Sequence, residues 1–139
     1  MKMKPSKQML TFGRVTQTIY STYTQTTTFS TGDVVFVVDS RSNGSSFEIK
    51  KYFFNAYTDS TYKKATLKDS NNSLVATLRT DAIFPNSEIA HRFTILYVIK
   101  RREPTIKFNN ELSVDDQYRS IEENYPELIL KYSGKIKIR

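Results

Sequence analysis

Short apolar runs separated by polar turns fill much of the first hundred residues and predict a protein built mainly of β-strands. Residues 33–39, DVVFVVD, are an apolar run between two acids, the pattern of a strand buried on both faces. Residues 47–57 alternate imperfectly and predict a second strand with a bulge near Phe53 and Phe54. Residues 65–79 predict a hairpin, because two strand-like arms flank a cluster of Asp, Ser and Asn that favours a turn.

The later part of the chain adds another apolar run and one amphipathic segment. Residues 91–100, HRFTILYVIK, have apolar residues on two alternating faces and predict a second central strand. Residues 114–124 predict the one α-helix, because Ser113 can cap it and its apolar residues recur at helical spacing. Residues 127–139 predict a final hairpin that turns at Ser133 and Gly134 and ends in a charged edge strand. The predicted fold is mainly β, an antiparallel β-sandwich or partly open barrel of about seven to nine short strands with one late α-helix.

Length and charge indicate one domain with a basic arm. The 139 residues suffice for a single core, and nine Phe and nine Tyr offset a modest hydrophobic content of 38%. Residues 1–8 carry Lys2, Lys4 and Lys7 and are predicted to be a flexible basic arm, with residues 9–139 forming a single β-sandwich domain. The charge of +7 suits an acidic partner, and the absence of any apolar stretch of about 20 residues predicts a soluble protein without membrane contact.

The sequence lacks the residues and motifs that most enzyme classes require. The chain has one histidine, His91, and no cysteine, so neither a structural zinc site nor thiolate chemistry is predicted. Its four glycines fall at predicted turns and form no phosphate-binding loop. We therefore predict a protein that is not an enzyme and has no cofactor, catalytic residue or metal site.

One constellation offers an alternative to that prediction. Asp39, followed on the next predicted strand by Glu48-Ile49-Lys50, resembles the signature of a large nuclease superfamily. The resemblance implies that the two acids hold a divalent metal and that the lysine steadies the attacking water. Alternation places Glu48 and Lys50 on one face of their strand, as that chemistry requires. The superfamily pattern also needs helices flanking the sheet, and residues 1–110 predict none, so a metal-dependent nuclease is the third of three hypotheses.

A single-stranded nucleic-acid-binding β-barrel, or a coat protein that contacts a genome, is the second hypothesis. Lysines repeatedly adjoin aromatic residues, as in Tyr62-Lys63-Lys64. Bases can stack on exposed aromatic rings while cations contact phosphates. The candidate nucleic-acid contacts are Lys2, Lys4, Lys7, Lys50, Lys51, Lys63, Lys64, Arg101 and Arg102.

The first hypothesis rests on an uncharged segment. No charged residue lies between Arg14 and Asp33, although exposed strands commonly carry lysine against edge pairing. Thr and Tyr provide apolar area and a hydroxyl without burying a charge, which suits a protein interface. The predicted interface residues are Thr18, Tyr20, Thr22, Tyr23, Thr24 and Thr26. We therefore predict a structural protein that contacts copies of itself or other particle proteins, as a capsid, tail or baseplate component of a virus or phage in the virion or host cytoplasm.

Overall fold

The computed structural model describes residues 17–18, 27–41 and 46–138, which form one six-stranded sheet and three α-helices. The strands are β1 Gln17–Thr18, β2 Val34–Arg41, β3 Ser46–Tyr57, β4 Lys64–Lys68, β5 Leu74–Arg79 and β6 Ile136–Ile138. The helices are α1 Ser87–Arg102, α2 Val114–Asn124 and α3 Pro126–Ser133. The predicted β-rich fold is confirmed in this coarser sense. The described strands make one open sheet, so a sandwich of seven to nine strands is not confirmed.

The long strand β3 organises the sheet. Strands β1 to β5 are antiparallel neighbours in chain order, and β6 pairs in parallel with the first part of β3. Strands β6 and β4 therefore pair with the same edge of β3. Strand β6 lies opposite Phe47–Ile49, and β4 lies opposite Phe53–Tyr57. The register shifts between Phe54 and Ala56, which confirms the predicted bulge.

The hairpin predicted for residues 65–79 is confirmed as β4 and β5. Its turn is fixed by Asp69, whose carboxylate accepts hydrogen bonds from the backbone N–H of Asn71 at 2.9 Å and of Ser73 at 3.1 Å. Asn72 takes a positive φ of 65°, a conformation that Asn adopts more readily than most residues. The Asp, Ser and Asn residues that predict the turn therefore also form the hydrogen bonds that close the hairpin.

The two faces of the sheet belong to two separate cores. The helix face, which includes Val38, Phe47 and Ile49, packs against α1, α2 and α3. The aromatic face includes Val35, Val37, Tyr52 and Phe54 and continues into β4 and β5. Strand β2 has buried residues on both faces, Val35 and Val37 on one and Val38 on the other, as the apolar run at residues 33–39 predicted.

The strand predicted for residues 91–100 is wrong, because these residues lie inside α1. The Asn86 side chain caps the helix by accepting a hydrogen bond from the Ile89 N–H at 2.8 Å, and three basic residues occupy its last turn. The helix packs against the sheet on one side and against α2 and α3 on another. Its sequence is therefore apolar around most of its circumference, which hides the helical period.

The helix predicted for residues 114–124 is confirmed at the same bounds, and Ser113 caps it by accepting from the Asp116 N–H at 3.1 Å. It is not the one helix of the chain, because α1 and α3 also form. Pro126 stops α2 but begins α3 as its first residue, a position where proline needs no partner for the missing N–H. The hairpin predicted at Ser133 and Gly134 is consequently wrong, whereas the edge strand after it forms as β6.

Candidate functional site

Three side chains of the nuclease-like pattern come together where β2 pairs with β3. Asp39 lies directly opposite Glu48 in the antiparallel register, and Lys50 follows two residues later on the same face. The Lys50 ammonium Nζ lies 3.2 Å from Asp39 Oδ2 and 3.8 Å from Glu48 Oε1. We call Asp39, Glu48 and Lys50 the acid–lysine cluster.

The cluster is buried on its acidic side. The Asp39 side chain has no exposed surface and Glu48 retains 5%, whereas Lys50 keeps 21%. Two carboxylates share one ammonium, so the three side chains together carry one more negative charge than positive. Burying such a charge is costly unless further positive charge or hydrogen bonding compensates for it. Lys50 is the part of the cluster that reaches solvent.

Tyr52 continues the same face of β3 beside the cluster. Burial raises the pKa of its hydroxyl, and the negative charges of Asp39 and Glu48 raise that pKa further. Sequence reasoning did not include Tyr52 in the site, although the alternation of Glu48, Lys50 and Tyr52 along one strand was a usable signal.

Strand pairing holds the acids in place. On β2, Val35 and Val37 fill the aromatic face before Asp39 appears on that same face. On the other side of the sheet, Val38 and Ile49 are register partners and are fully buried in the core on the helix face. The two carboxylates therefore project from paired strand residues of the sheet rather than from a loop.

The donor set fits one class of metal ion. Among the described residues, no group of three or more His, Cys, Asp or Glu side chains is arranged to hold a metal. Zinc therefore finds no complete protein ligand set in that part of the chain. Mg²⁺ and Mn²⁺ prefer oxygen ligands, and Mg²⁺ commonly takes one or two carboxylates with water and substrate phosphate as the remainder. Asp39 and Glu48 match that requirement.

The other predicted nucleic-acid contacts do not gather around the cluster. Lys51 points to the opposite face, 5.7 Å from the centre of the Phe53 ring. Lys63 and Lys64 follow the far end of β3, and Arg101 and Arg102 end α1 behind the sheet. From Glu48 to Tyr57 the strand spans about 30 Å, at roughly 3.3 Å per residue. Lys2, Lys4 and Lys7, together with the predicted arm at residues 1–8, lie outside the described residues.

The predicted protein interface falls almost wholly outside the described residues. Tyr20, Thr22, Tyr23, Thr24 and Thr26 are among those not described. Thr18 lies in β1, where its backbone is the register partner of Asp39 in the chain's own sheet. The backbone of β1, which is part of the uncharged segment, therefore pairs with β2 at Asp39, and the use of the segment as an interface stays a prediction.

His91 lies in α1 and is not a member of the cluster. Burial lowers the pKa of its imidazole, and the neighbouring charge of Arg92 lowers it further. The folded protein thus binds this proton more weakly than the unfolded chain, and stability should fall as pH drops from about 6.5 through the folded pKa. Because the chain has one histidine, NMR titration can measure this pKa directly. His91→Gln should remove this pH dependence of unfolding; an unchanged dependence would contradict the assignment.

Comparison with protein-family models, with curated proteins and with solved structures finds no match to this chain. Within the portion of the chain that the structure describes, none of the helices combines the length and apolar character needed to cross a membrane.

Proposed function

We propose that this chain is a metal-dependent nuclease in which Asp39 and Glu48 hold a divalent cation and Lys50 orients the attacking water. The observation that carries this proposal is the meeting of two buried carboxylates and one lysine across the β2–β3 pair. Residues 1–110, for which no helix was predicted, contain α1, and this helix packs on the helix face of the sheet together with α2 and α3. The order of acid, then Glu-x-Lys on the next strand, is the pattern that resembles the nuclease superfamily.

The placement of the two acids supports the proposal. Two buried carboxylates close together repel each other, and a divalent cation held by both would relieve that repulsion. The two acids come from facing strands at a paired position, so their carboxylates approach each other without any backbone adjustment.

The residues divide the chemical work in a simple way. When bound, the metal supplies Lewis acidity and lowers the pKa of a coordinated water. Lys50 has three donors on its ammonium and reaches solvent, so it can hold a water or a phosphate oxygen at the edge of the acids. The strand pair fixes the spacing among all three groups. The protein's charge of +7 favours encounter with a nucleic acid.

The test is metal binding and cleavage by wild-type protein and two near-isosteric variants. We expect Mg²⁺ or Mn²⁺ binding in calorimetry and cleavage of a nucleic acid that chelator abolishes. Asp39→Asn and Glu48→Gln should each lower the cleavage rate at least about 100-fold, since each removes one ligand charge. Glu123→Gln, at an exposed acid of α2, is the control and should cleave like wild type.

Failure to bind either metal, together with no cleavage of single-stranded or duplex DNA or RNA, would overturn the proposal. Cleavage that persists at the wild-type rate in both acid variants would do the same. Circular dichroism and thermal unfolding of each variant would show whether a loss of activity comes from a loss of fold.

A structural role in a virus or phage particle stays a second proposal. It rests on the uncharged segment between Arg14 and Asp33, which suits contact with copies of the chain or with other particle proteins. A native mass several times 16.1 kDa that persists at high salt would support it, and a monomeric mass at every concentration would count against it.

A further inference from the structure

The turn between β3 and β4 presents one aromatic ring to solvent in a constrained backbone conformation. Tyr62 is 59% exposed and has a φ of 60°, a value unusual for a bulky residue. Such conformations cost free energy and cluster at functional positions. A large aromatic ring is therefore exposed on a turn whose backbone is strained.

Several hydrogen bonds fix this turn. The Thr58 N–H donates to the Lys64 carbonyl at 3.0 Å, and the Thr61 hydroxyl donates to Asp59 Oδ1 at 2.5 Å. The Thr80 hydroxyl donates to the carbonyl of Tyr62 at 2.9 Å, which ties the turn to the segment after β5. The position of the ring is consequently set by the fold rather than by a freely moving loop.

A row of aromatic rings supports Tyr62 from beneath. Its ring centre lies 4.6 Å from that of Tyr57 in an edge-to-face contact, and Tyr57 lies 4.8 Å from Phe54 in the same type of contact. Phe54 in turn packs at 5.4 Å on Phe29 in the core. Tyr57 pairs with Ala65 in the register, so this row belongs to the aromatic face, the face that also carries Asp39 and Glu48.

Two exposed lysines follow the ring. Lys63 and Lys64 are both at the surface, and the Lys63 carbonyl accepts the Thr80 N–H at 2.9 Å. The acid of the turn, Asp59, is engaged by Thr61, whose side-chain and backbone hydrogen bonds lower the pKa of that carboxyl. The turn therefore presents an exposed aromatic ring next to two lysines, with the Asp59 carboxylate hydrogen-bonded to Thr61.

We infer that Tyr62, Lys63 and Lys64 form a second nucleic-acid contact, in which Tyr62 stacks on an unpaired base and the lysines contact the adjoining phosphates. An exposed ring with neighbouring cations is the arrangement that single strands recognise. Bases of a duplex are already stacked on one another and leave no face for Tyr62. The inference goes beyond the proposed cleavage, because binding at Tyr62 does not require metal at Asp39 and Glu48.

The spacing relates the two sites to one strand of substrate. They share a face of the sheet and lie about 30 Å apart along β3, at roughly 3.3 Å per residue. A nucleic-acid strand covers that span with roughly nine nucleotides at 3.4 Å each, and with fewer when extended. A single strand anchored at Tyr62 could thus reach the acid–lysine cluster.

The absence of tryptophan from the chain makes a direct test possible. In Tyr62→Trp, the new indole is the sole tryptophan, and base stacking should quench its fluorescence when an oligothymidine of about 15 nucleotides is added. The matched control is Tyr125→Trp, at a tyrosine that is 38% exposed between acidic residues of α2 and α3. Its emission should not change.

Affinity measurements complete the test. Tyr62→Leu keeps an apolar contact with Tyr57 but removes the stacking ring, and it should weaken single-strand binding roughly tenfold. Lys63→Gln and Lys64→Gln should each weaken binding and reduce the slope of log K against log salt by about 0.7. Duplex DNA of the same length should quench the indole far less.

Three results would overturn the inference: binding of the oligonucleotide without quenching of the indole in Tyr62→Trp, equal quenching by duplex, or no binding of single strands at all. The proposed nuclease function can fail while this inference holds, and the reverse is also possible. Glu48→Gln combined with Tyr62→Trp should lose cleavage and keep the quenching, so a missing metal site and a missing stacking site give different patterns.

Discussion

Replacing Lys50 with methionine is expected to lower the free energy of unfolding by about 3–5 kcal/mol. The reason is that Asp39 and Glu48 would remain buried and close together without the ammonium that lies 3.2 Å from one and 3.8 Å from the other. The partial exposure of Lys50 places the expected loss near the lower end of that range. Urea unfolding followed by circular dichroism measures it. Lys51→Met, at an exposed lysine on the opposite face, is the control and should change stability by no more than about 0.5 kcal/mol.

The same variant separates a metal site from a structural ion pair. With the competing ammonium removed, Mg²⁺ or Mn²⁺ should bind at Asp39 and Glu48 and restore stability, by about 2.7 kcal/mol at 100 times the dissociation constant. Even with metal bound, Lys50→Met should not cleave nucleic acid, because the group that orients the attacking water is gone. A Lys50→Met protein that is destabilised but gains nothing from metal would contradict the proposed site.

Replacing Phe84 with alanine should also cost about 3–5 kcal/mol of stability. The Phe84 ring has no exposed surface and packs 5.2 Å from Phe93 of α1, between centres. Its backbone also exchanges two hydrogen bonds with Phe36 of β2, at 2.8 and 2.9 Å. The residue therefore joins the sheet to its principal helix, and truncation leaves a cavity at that junction.

Leu130→Ala provides the control for the Phe84 variant. Leu130 is 80% exposed on α3, so its truncation should shift the free energy of unfolding by no more than about 0.5 kcal/mol. Equal unfolding midpoints for Phe84→Ala and wild type in urea would show that the junction is not where the helices and the sheet hold together.

The elements that could be predicted from the sequence are those with local signals. The apolar run of β2, the turn cluster around Asp69 and the cap at Ser113 each identify an element without reference to the rest of the chain. Helix α1 could not be recognised by its period, because neighbours on several sides bury it. The residues at its ends do indicate a helix, because Asn86 precedes it as a cap and three basic residues occupy its last turn.

The hidden period of α1 also weakens the sequence evidence for the acid–lysine cluster. Alternation along β3 places Glu48 and Lys50 together, but the sequence pattern predicts strands where α1 and α3 form, and the nuclease pattern needs helices beside the sheet. The pairing of Asp39 with Glu48 depends on the register of the β2–β3 hairpin, which a pattern of single residues does not encode. The positive φ of Tyr62 has no sequence signal either, since glycine or asparagine would be expected there.

The shared edge of β3 has a consequence for the order in which this protein folds. The hairpin of β4 and β5 closes a loop of only a few residues. The pairing of Phe47 with Ile136 must instead close a loop that contains most of β3, the β4–β5 hairpin and all three α-helices. Contacts of such long separation form late, because their loop-closure entropy is lost before any pairing compensates for it. Lys137 of β6 lies opposite Glu48, so the neighbourhood of the acids is completed only at that late step. During synthesis, a ribosome-bound chain would therefore pair Asp39 with Glu48 in its early β2–β3 hairpin, and Lys137 would take its place opposite Glu48 only after β6 had emerged.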